Sequence, residues 1–359
     1  MKKKYTKIIA EAGVNHNGAP DLALELVEVA SQAGANAVKF QLFNAREIVT
    51  EKAERAEYQK KNSSDNSSQL EMLKGLELPK EVHAELKKLS KRLGIEYMCT
   101  AFDSQSLDFL TDELDVDTLK IASGEITNAP FLLETAKKNM RIILSTGMSN
   151  SSEIKRALSI LAFGLLDGEV PSVEAFKEAY NSNEGRSILK ERVTILHCTS
   201  EYPAPHDQVN LAVIPMLQKE FDISVGYSDH TEGIRVAPLA AAIGARVIEK
   251  HFTLDKNMKG PDHFASIEPQ ELKQMMKELR GIEEILGSPI KKETPSERKN
   301  KDIVRKSLVA KKKILKGEKF SSENITTKRP GIGKDPIEYW DMLGKASTKD
   351  YNADDLLEK

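Results

Sequence analysis

Along the first 285 or so residues, short runs of β-branched and apolar residues alternate with longer stretches whose apolar positions recur at the helical period. The strand-like runs are "KIIAEAGVN" (7–15), "NAVKFQLF" (36–43), "IEYMCTAF" (95–102), "TLKIAS" (118–123), "RIILSTG" (141–147), "VTILHCT" (193–199), "ISVGYSDH" (223–230) and "VIEKHFTL" (247–254). Helical stretches such as "PDLALELVEVASQAG" and "EVHAELKKLSKRLG" stand between them. Parallel strands need crossovers of about a dozen residues or more, which such helices supply. Eight such units predict an α/β fold, a closed (β/α)8 TIM barrel. A doubly wound sheet fits less well, because no G-x-G-x-x-G follows the first strand.

Three stretches depart from this rhythm. Residues 52–69 lack core-facing periodicity and read as a long loop. The fifth crossover is lengthened over 163–192 and is expected to carry an extra helix around 172–180. After about residue 286 the βα rhythm ends, and "GSPIKKETPSERKNKD" reads as a polar, basic linker. The short apolar runs beyond it, broken by Gly, Pro and Ser, predict a small β-rich domain. The expected division is a barrel over 1–286, a linker over 287–300 and a small domain over 301–359.

The 359-residue chain carries 53 Lys+Arg against 55 Asp+Glu, a net charge of −2, which gives no reason to expect nucleic acid or an anionic membrane as a partner. The apolar stretch behind the basic start ends at Glu11, so neither an export signal nor a membrane span is expected. Cys99 and Cys198 sit in separate strand-like runs and read as reduced, buried thiols of a cytoplasmic protein.

Barrel active sites form at the C-terminal ends of the strands, and polar residues gather there. Glu11, Asn15 and His16 end the first strand; Lys39 and Gln41 the second; Thr100 and Asp103 the third; Lys120, Ser123 and Glu125 the fourth. Ser145 and Thr146 follow on the fifth, His197, Thr199 and Tyr202 on the sixth, Ser228, Asp229 and His230 on the seventh, and Glu249, Lys250 and His251 on the eighth. Burying so many ionisable groups costs stability unless they pair or bind charge, so the pattern points to a polar, anion-binding site. His230 and His251 end adjacent strands, about 4.8 Å apart in a sheet, close enough to share one divalent ion with water and substrate completing its shell. Alternation puts Glu249 on the face of His251 and Lys250 on the other, with Val247 and Ile248 expected to fill the barrel. Lys39 and Lys120 admit two readings, a Schiff-base nucleophile as in class I aldolases or plain cations for phosphate and carboxylate. Having both, with Ser123 and Ser145 nearby, favours the second.

"AEAGVNHNG" (10–18), "AVKFQ" (37–41), "KIASGE" (120–125), "ILSTGM" (143–148), "HCTSEYPAP" (197–205), "GYSDHT" (226–231), "EKHFTLDKNMKGPDH" (249–263) and "KRPGIG" (328–333) together resemble the sialic acid synthase family. The resemblance implies a barrel followed by a small antifreeze-like (SAF) domain, and condensation of phosphoenolpyruvate with an N-acylated mannosamine-type sugar. It further implies Mn2+ or Mg2+ on His230 and His251, with Glu11 and Gln41 near the reacting carbons. Lys39, Thr100, Lys120, Ser123, Ser145 and Ser228 would bind phosphoenolpyruvate, and Tyr202 and Asp262 the sugar. Arg329 would reach the partner's site in a domain-swapped homodimer. Ser200 stands where some relatives have asparagine. The acceptor is read as N-acetylmannosamine, giving N-acetylneuraminate, with the 2,4-diacetamido-2,4,6-trideoxymannose of legionaminate synthesis as the alternative.

Overall fold

The structure, a computed structural model, describes residues 6–56, 59 and 68–359. Much of the stretch 52–69 that reads as a long loop, residues 57, 58 and 60–67, lies outside the described residues. Its far end is helical, since Ser68 caps helix Gln69–Lys74 by accepting the Glu71 amide.

Eight strands close in chain order into one barrel. They are β1 (Lys7–Gly13), β2 (Ala37–Leu42), β3 (Glu96–Ala101), β4 (Thr118–Ile121), β5 (Arg141–Ser145), β6 (Val193–Cys198), β7 (Ser224–Asp229) and β8 (Val247–His251). β8 returns parallel to β1, from Lys7↔Val247 to Glu11↔His251. Alternation then divides each strand between two faces. Ile9, Ala37, Met98, Ile143, Leu196 and Val247 form a closed apolar cluster inside the barrel. Ile8, Val38, Phe40, Tyr97, Leu144, Ile195 and Ile248 belong instead to the layer between sheet and helices. The expectation for β8 is thereby corrected, because Val247 fills the barrel while Ile248, one residue on, faces outward.

The outer helices cover that second face. Helix Pro20–Ala33 buries Ala23, Leu26, Val27 and Ala30, one stripe at the 3.6-residue period, and ends at Gly34 with φ 83°. The lengthened fifth crossover holds helix Ser151–Leu165, then Val173–Asn181 where an extra helix is expected, and a further helix, Asn183–Arg192. Cys99 and Cys198 are buried and unbridged. Among the described residues no helix is long and apolar enough to cross a membrane.

The chain divides into two compact units between Gly287 and Ser288. In the second, β9 (Ser307–Ala310) pairs antiparallel with β10 (Ile325–Lys328) over a core of Leu308, Ile314, Phe320, Ile325, Tyr351 and Leu357. The linker expectation for 287–300 needs correcting, because its end forms helix Pro295–Val304. The helix starts there because Thr294 and Glu297 make a reciprocal capping box and Pro295 takes the first turn.

Candidate active site

One turn of side chains above the apolar plug, the barrel interior becomes ionic. Glu11, Lys39, Thr100, Lys120 and Glu249 all point inward and are each at most 5% exposed. Lys39 Nζ lies 2.7 Å from Glu11 and 3.8 Å from Glu249, and donates to Thr100 Oγ1 at 3.0 Å. Lys120 Nζ lies 3.3 Å from the other Glu249 oxygen, which also accepts from Ser228 Oγ at 3.1 Å. Glu249, expected by alternation on the face of His251, is thus the hub joining both lysines.

Burial opposes every charge here, and the neighbours decide the outcome. For Lys39, burial pulls the ammonium down, but Glu11 and Glu249 outweigh it and leave its pKa above the ordinary value. Lys120 is lowered by burial, with Glu249 opposing. Burial lifts the Glu11 carboxyl to about 7 against the pull of Lys39. Glu249 feels the same burial, yet Lys120 and Lys39 together hold it down at about 2. The result is a floor with a firmly ionised acid, an ammonium on Lys39, a lysine at 120 that burial pulls down against Glu249, and a second acid poised near neutrality. Gly13, at φ 53°, closes the β1 end beside it, and a Cβ there would stand 3.2 Å from Glu11 Oε1 and 3.4 Å from His251 Cε1.

His230 and His251 stand at the rim with ring centroids 5.6 Å apart. The Nδ1–H of His230 donates to the Thr199 carbonyl at 2.6 Å, so in the neutral ring Nε2 keeps its lone pair. Tyr202 stacks on that ring, centroids 4.2 Å apart, with its hydroxyl 3.2 Å from Nε2. Burial lowers His230 to about 4 and His251 well below its usual value, so both imidazoles are neutral donors at physiological pH. The buried Nδ1 of His251 has no hydrogen-bond partner among the described residues, and Asp262 Oδ2 lies 3.9 Å away. Burial raises Asp262 to about 6, with Lys39 opposing. Two neutral imidazoles, one of them unpartnered, beside a carboxylate fit a divalent ion. Among the described residues no group of three or more His, Cys, Asp or Glu side chains is placed to hold a metal ion, so an ion on the two histidines would need solvent or substrate for its other positions.

All of the barrel residues proposed from the sequence line one cavity of about 650 Å³, including Gln41, Ser123, Ser145, Tyr202, Ser228 and Asp262, and Ser200 lines it too. Ser123 Oγ accepts the Gly147 amide at 3.0 Å and sits 3.3 Å from Cys198 Sγ. Arg329 follows β10 in the second unit, whereas the cavity lining comes from the first. Several other polar strand ends do structural work elsewhere. Asn15 ties β1 to the Phe252 carbonyl and Ser266, Asp103 caps helix Ser104–Asp108, and His197 meets the Val209 carbonyl. Asp229 and Lys250, both fully buried, pair at 3.2 Å on the outer face of β7 and β8. Missed from the sequence was His263, whose ring contacts Thr253 Oγ1 at 2.6 Å and Asn17 Oδ1 at 3.1 Å, pinning the loop after β8 to the loop after β1.

The chain matches the NeuB family over residues 26–291 and the SAF domain over residues 305–359. It is 49% identical over 354 residues, 99% of each chain, to an N,N'-diacetyllegionaminic acid synthase of Campylobacter jejuni. A second N,N'-diacetyllegionaminic acid synthase, from Legionella pneumophila, is 44% identical over 96% of this chain and 91% of that one. Among solved structures, the N-acetylneuraminic acid (sialic acid) synthetase of Leptospira borgpetersenii superposes with a TM-score of 0.67 at 33% identity, covering 82% of this chain and 90% of that chain. The chain belongs to the NeuB family of sialic and legionaminic acid synthases, enzymes that condense phosphoenolpyruvate with sugars.

Proposed function

We propose that the protein is an N,N'-diacetyllegionaminic acid synthase, joining phosphoenolpyruvate to 2,4-diacetamido-2,4,6-trideoxymannose with release of phosphate. The observation that carries the chemistry is the pair of buried lysines sharing Glu249 at the barrel floor. Two lysines in a desolvated pocket, with Thr100, Ser123, Ser145 and Ser228 as hydroxyl donors around them, suit a phosphate and a carboxylate on one small molecule. The choice of acceptor is supported by the two legionaminic acid synthases at 49% and 44% identity. N-acetylmannosamine is the second reading, supported by the sialic acid synthetase structure at 33%. The Schiff-base reading has less support: Lys39 is held as an ammonium, and although burial lowers Lys120, Glu249 opposes that at 3.3 Å.

In this reading His230 and His251 would hold a divalent ion, Mn2+ or Mg2+, with Asp262 beside them. Such an ion would supply Lewis-acid polarisation of the sugar aldehyde. Lys39 and Lys120 fix phosphoenolpyruvate so that its carbon 3 attacks the aldehyde carbon, and Gln41, Tyr202 and Asp262 orient the sugar. Positive charge then develops on carbon 2, where the Glu11 carboxylate stabilises it and accepts a proton from the water that adds there. Collapse of the tetrahedral adduct breaks the bond between carbon 2 and the phosphate ester oxygen and expels phosphate, which takes the carbon 2 hydroxyl proton, while the proton on Glu11 balances the alkoxide formed on the former aldehyde oxygen. A pKa raised toward neutrality by burial makes Glu11 a competent base at physiological pH. Arg329 of a partner copy reaches the acceptor in a homodimer, a role suggested by the "KRPG" motif.

The test is a phosphate-release assay with both sugars side by side, with product masses recorded. Release faster with the trideoxy sugar supports the assignment, and release faster with N-acetylmannosamine reverses it. Borohydride with pyruvate should leave the protein's mass unchanged.

A further inference from the structure

One side of the cavity has none of the floor's charge. Phe43 and Phe102, just past the ends of β2 and β3, meet edge to face with centroids 6.1 Å apart. Ile48 on helix Ala45–Ile48, and Met72 and Leu73 on helix Gln69–Lys74, pack with them and with Leu76. All of these line the same cavity as Lys39, Lys120 and the two histidines. Phe43 and Leu76 are buried, but Ile48, Met72, Leu73 and Phe102 are only half-buried. Those half-buried side chains turn apolar surface to the cavity rather than closing it off in a core. Apolar faces left half-covered toward a cavity with a charged floor are those of a ligand site.

Phosphoenolpyruvate does not match such a wall, because its charged ends belong with the lysines. An acceptor with apolar groups on the side away from its aldehyde would match it. We infer that this wall seats the methyl groups of the acceptor and selects a deoxy, multiply N-acylated sugar over a fully hydroxylated one. The inference rests on the synthase reading above and adds the part of the protein that sets acceptor choice. A sugar carrying a hydroxymethyl in place of the 6-deoxy methyl loses a water hydrogen bond there and finds no protein partner on these side chains. An apolar pocket rejects an added hydroxyl by about 10²-fold at most, so the selection is a preference rather than an exclusion.

The test compares kcat/KM for the trideoxy diacetamido sugar and for N-acetylmannosamine in the full-length protein. In Met72→Gln with Leu73→Gln, the ratio of the two should fall by about tenfold or more, carried by KM for the trideoxy sugar, with KM for phosphoenolpyruvate unmoved. Met72→Leu, which keeps the wall apolar, should keep the parent ratio. Should the double variant fail to fold, Leu73→Ser, a single change on a helix with no fully buried residue, carries the same comparison. A ratio unchanged by the polar substitutions, or equal kcat/KM for both sugars in the parent, overturns the apolar seat and leaves the synthase reading standing. Phosphate release with neither sugar overturns the synthase reading and this inference together.

Discussion

Burial alone would drive Lys39 and Lys120 toward neutral amines, and the acids beside them decide whether they stay charged. Lys120 depends on Glu249, so Lys120→Met removes a cation and leaves Glu249 with Lys39 at 3.8 Å. We expect kcat/KM for phosphoenolpyruvate to fall by about 10²–10³-fold in that variant. Ser145→Ala, which removes one neutral donor, should cost about tenfold. Equal losses in steady-state assays would reject charge as the basis of binding. Away from the cavity lining, two further histidines add to how stability depends on pH. His83 donates to or accepts from Tyr97 Oη at 2.8 Å, and burial lowers it to about 4, while His16 is lowered by burial to about 3. Both are neutral in the fold yet protonate near 6.5 once unfolded, so between those values the unfolded chain binds more protons. Their contribution is therefore complete above about 6.5 and is lost as pH falls toward 4 for His83 and 3 for His16. Urea unfolding at pH 7 and pH 4.5 should show this loss, and His83→Gln, which cannot titrate, should flatten it.

At the level of elements, one coupling behind the site joins β7 and β8. Asp229 accepts from Thr231 N and Oγ1 at 2.9 and 2.7 Å, Lys250 donates to the Thr231 carbonyl, and the two charges meet 3.2 Å apart with no exposure. Asp229 and Lys250 each precede one of the two rim histidines, so this pair sits behind both. Lys250→Met strands a buried carboxylate and should cost about 3–5 kcal/mol of unfolding free energy, while Asp229→Asn joined to Lys250→Met should recover most of it. Additive losses in denaturant titrations would show that the pair is not a unit. The same two strands mark how far periodicity reads a fold. Strand existence and order were legible from Val247, Ile248 and their counterparts, because eight β-branched runs with helical spacers admit few closures. Which polar ends face the cavity was harder to read, since Glu249 and Lys250 are equally polar and both buried, and only their parity separates them. Likewise the helix Pro295–Val304 hides in basic, polar composition, although Thr294 and Glu297 spell its cap. The apolar wall was not legible at all, because it joins Phe102 to Met72 and Leu73 across a strand and a separate short helix.

For the molecule as a whole, the division between Gly287 and Ser288 places the cavity and Arg329 on separate compact units of the same polypeptide. Covalent connection does not dictate that a barrel is served by its own small unit, and an exchanged element is a low-cost way to make a dimer. The proposed role of Arg329 in a partner's site therefore has a consequence that service within one chain does not share. Consider Arg329→Ala and His251→Ala proteins, each inactive alone, mixed in equal amounts and allowed to exchange subunits. Half of the dimers are then mixed. In a mixed dimer with exchanged small units, one site pairs the intact barrel with the intact Arg329 and the other combines both defects. About a quarter of all sites should therefore regain activity. Were Arg329 to serve its own barrel, every site in the mixture would carry one defect, and phosphate release would stay at the level of the separate variants.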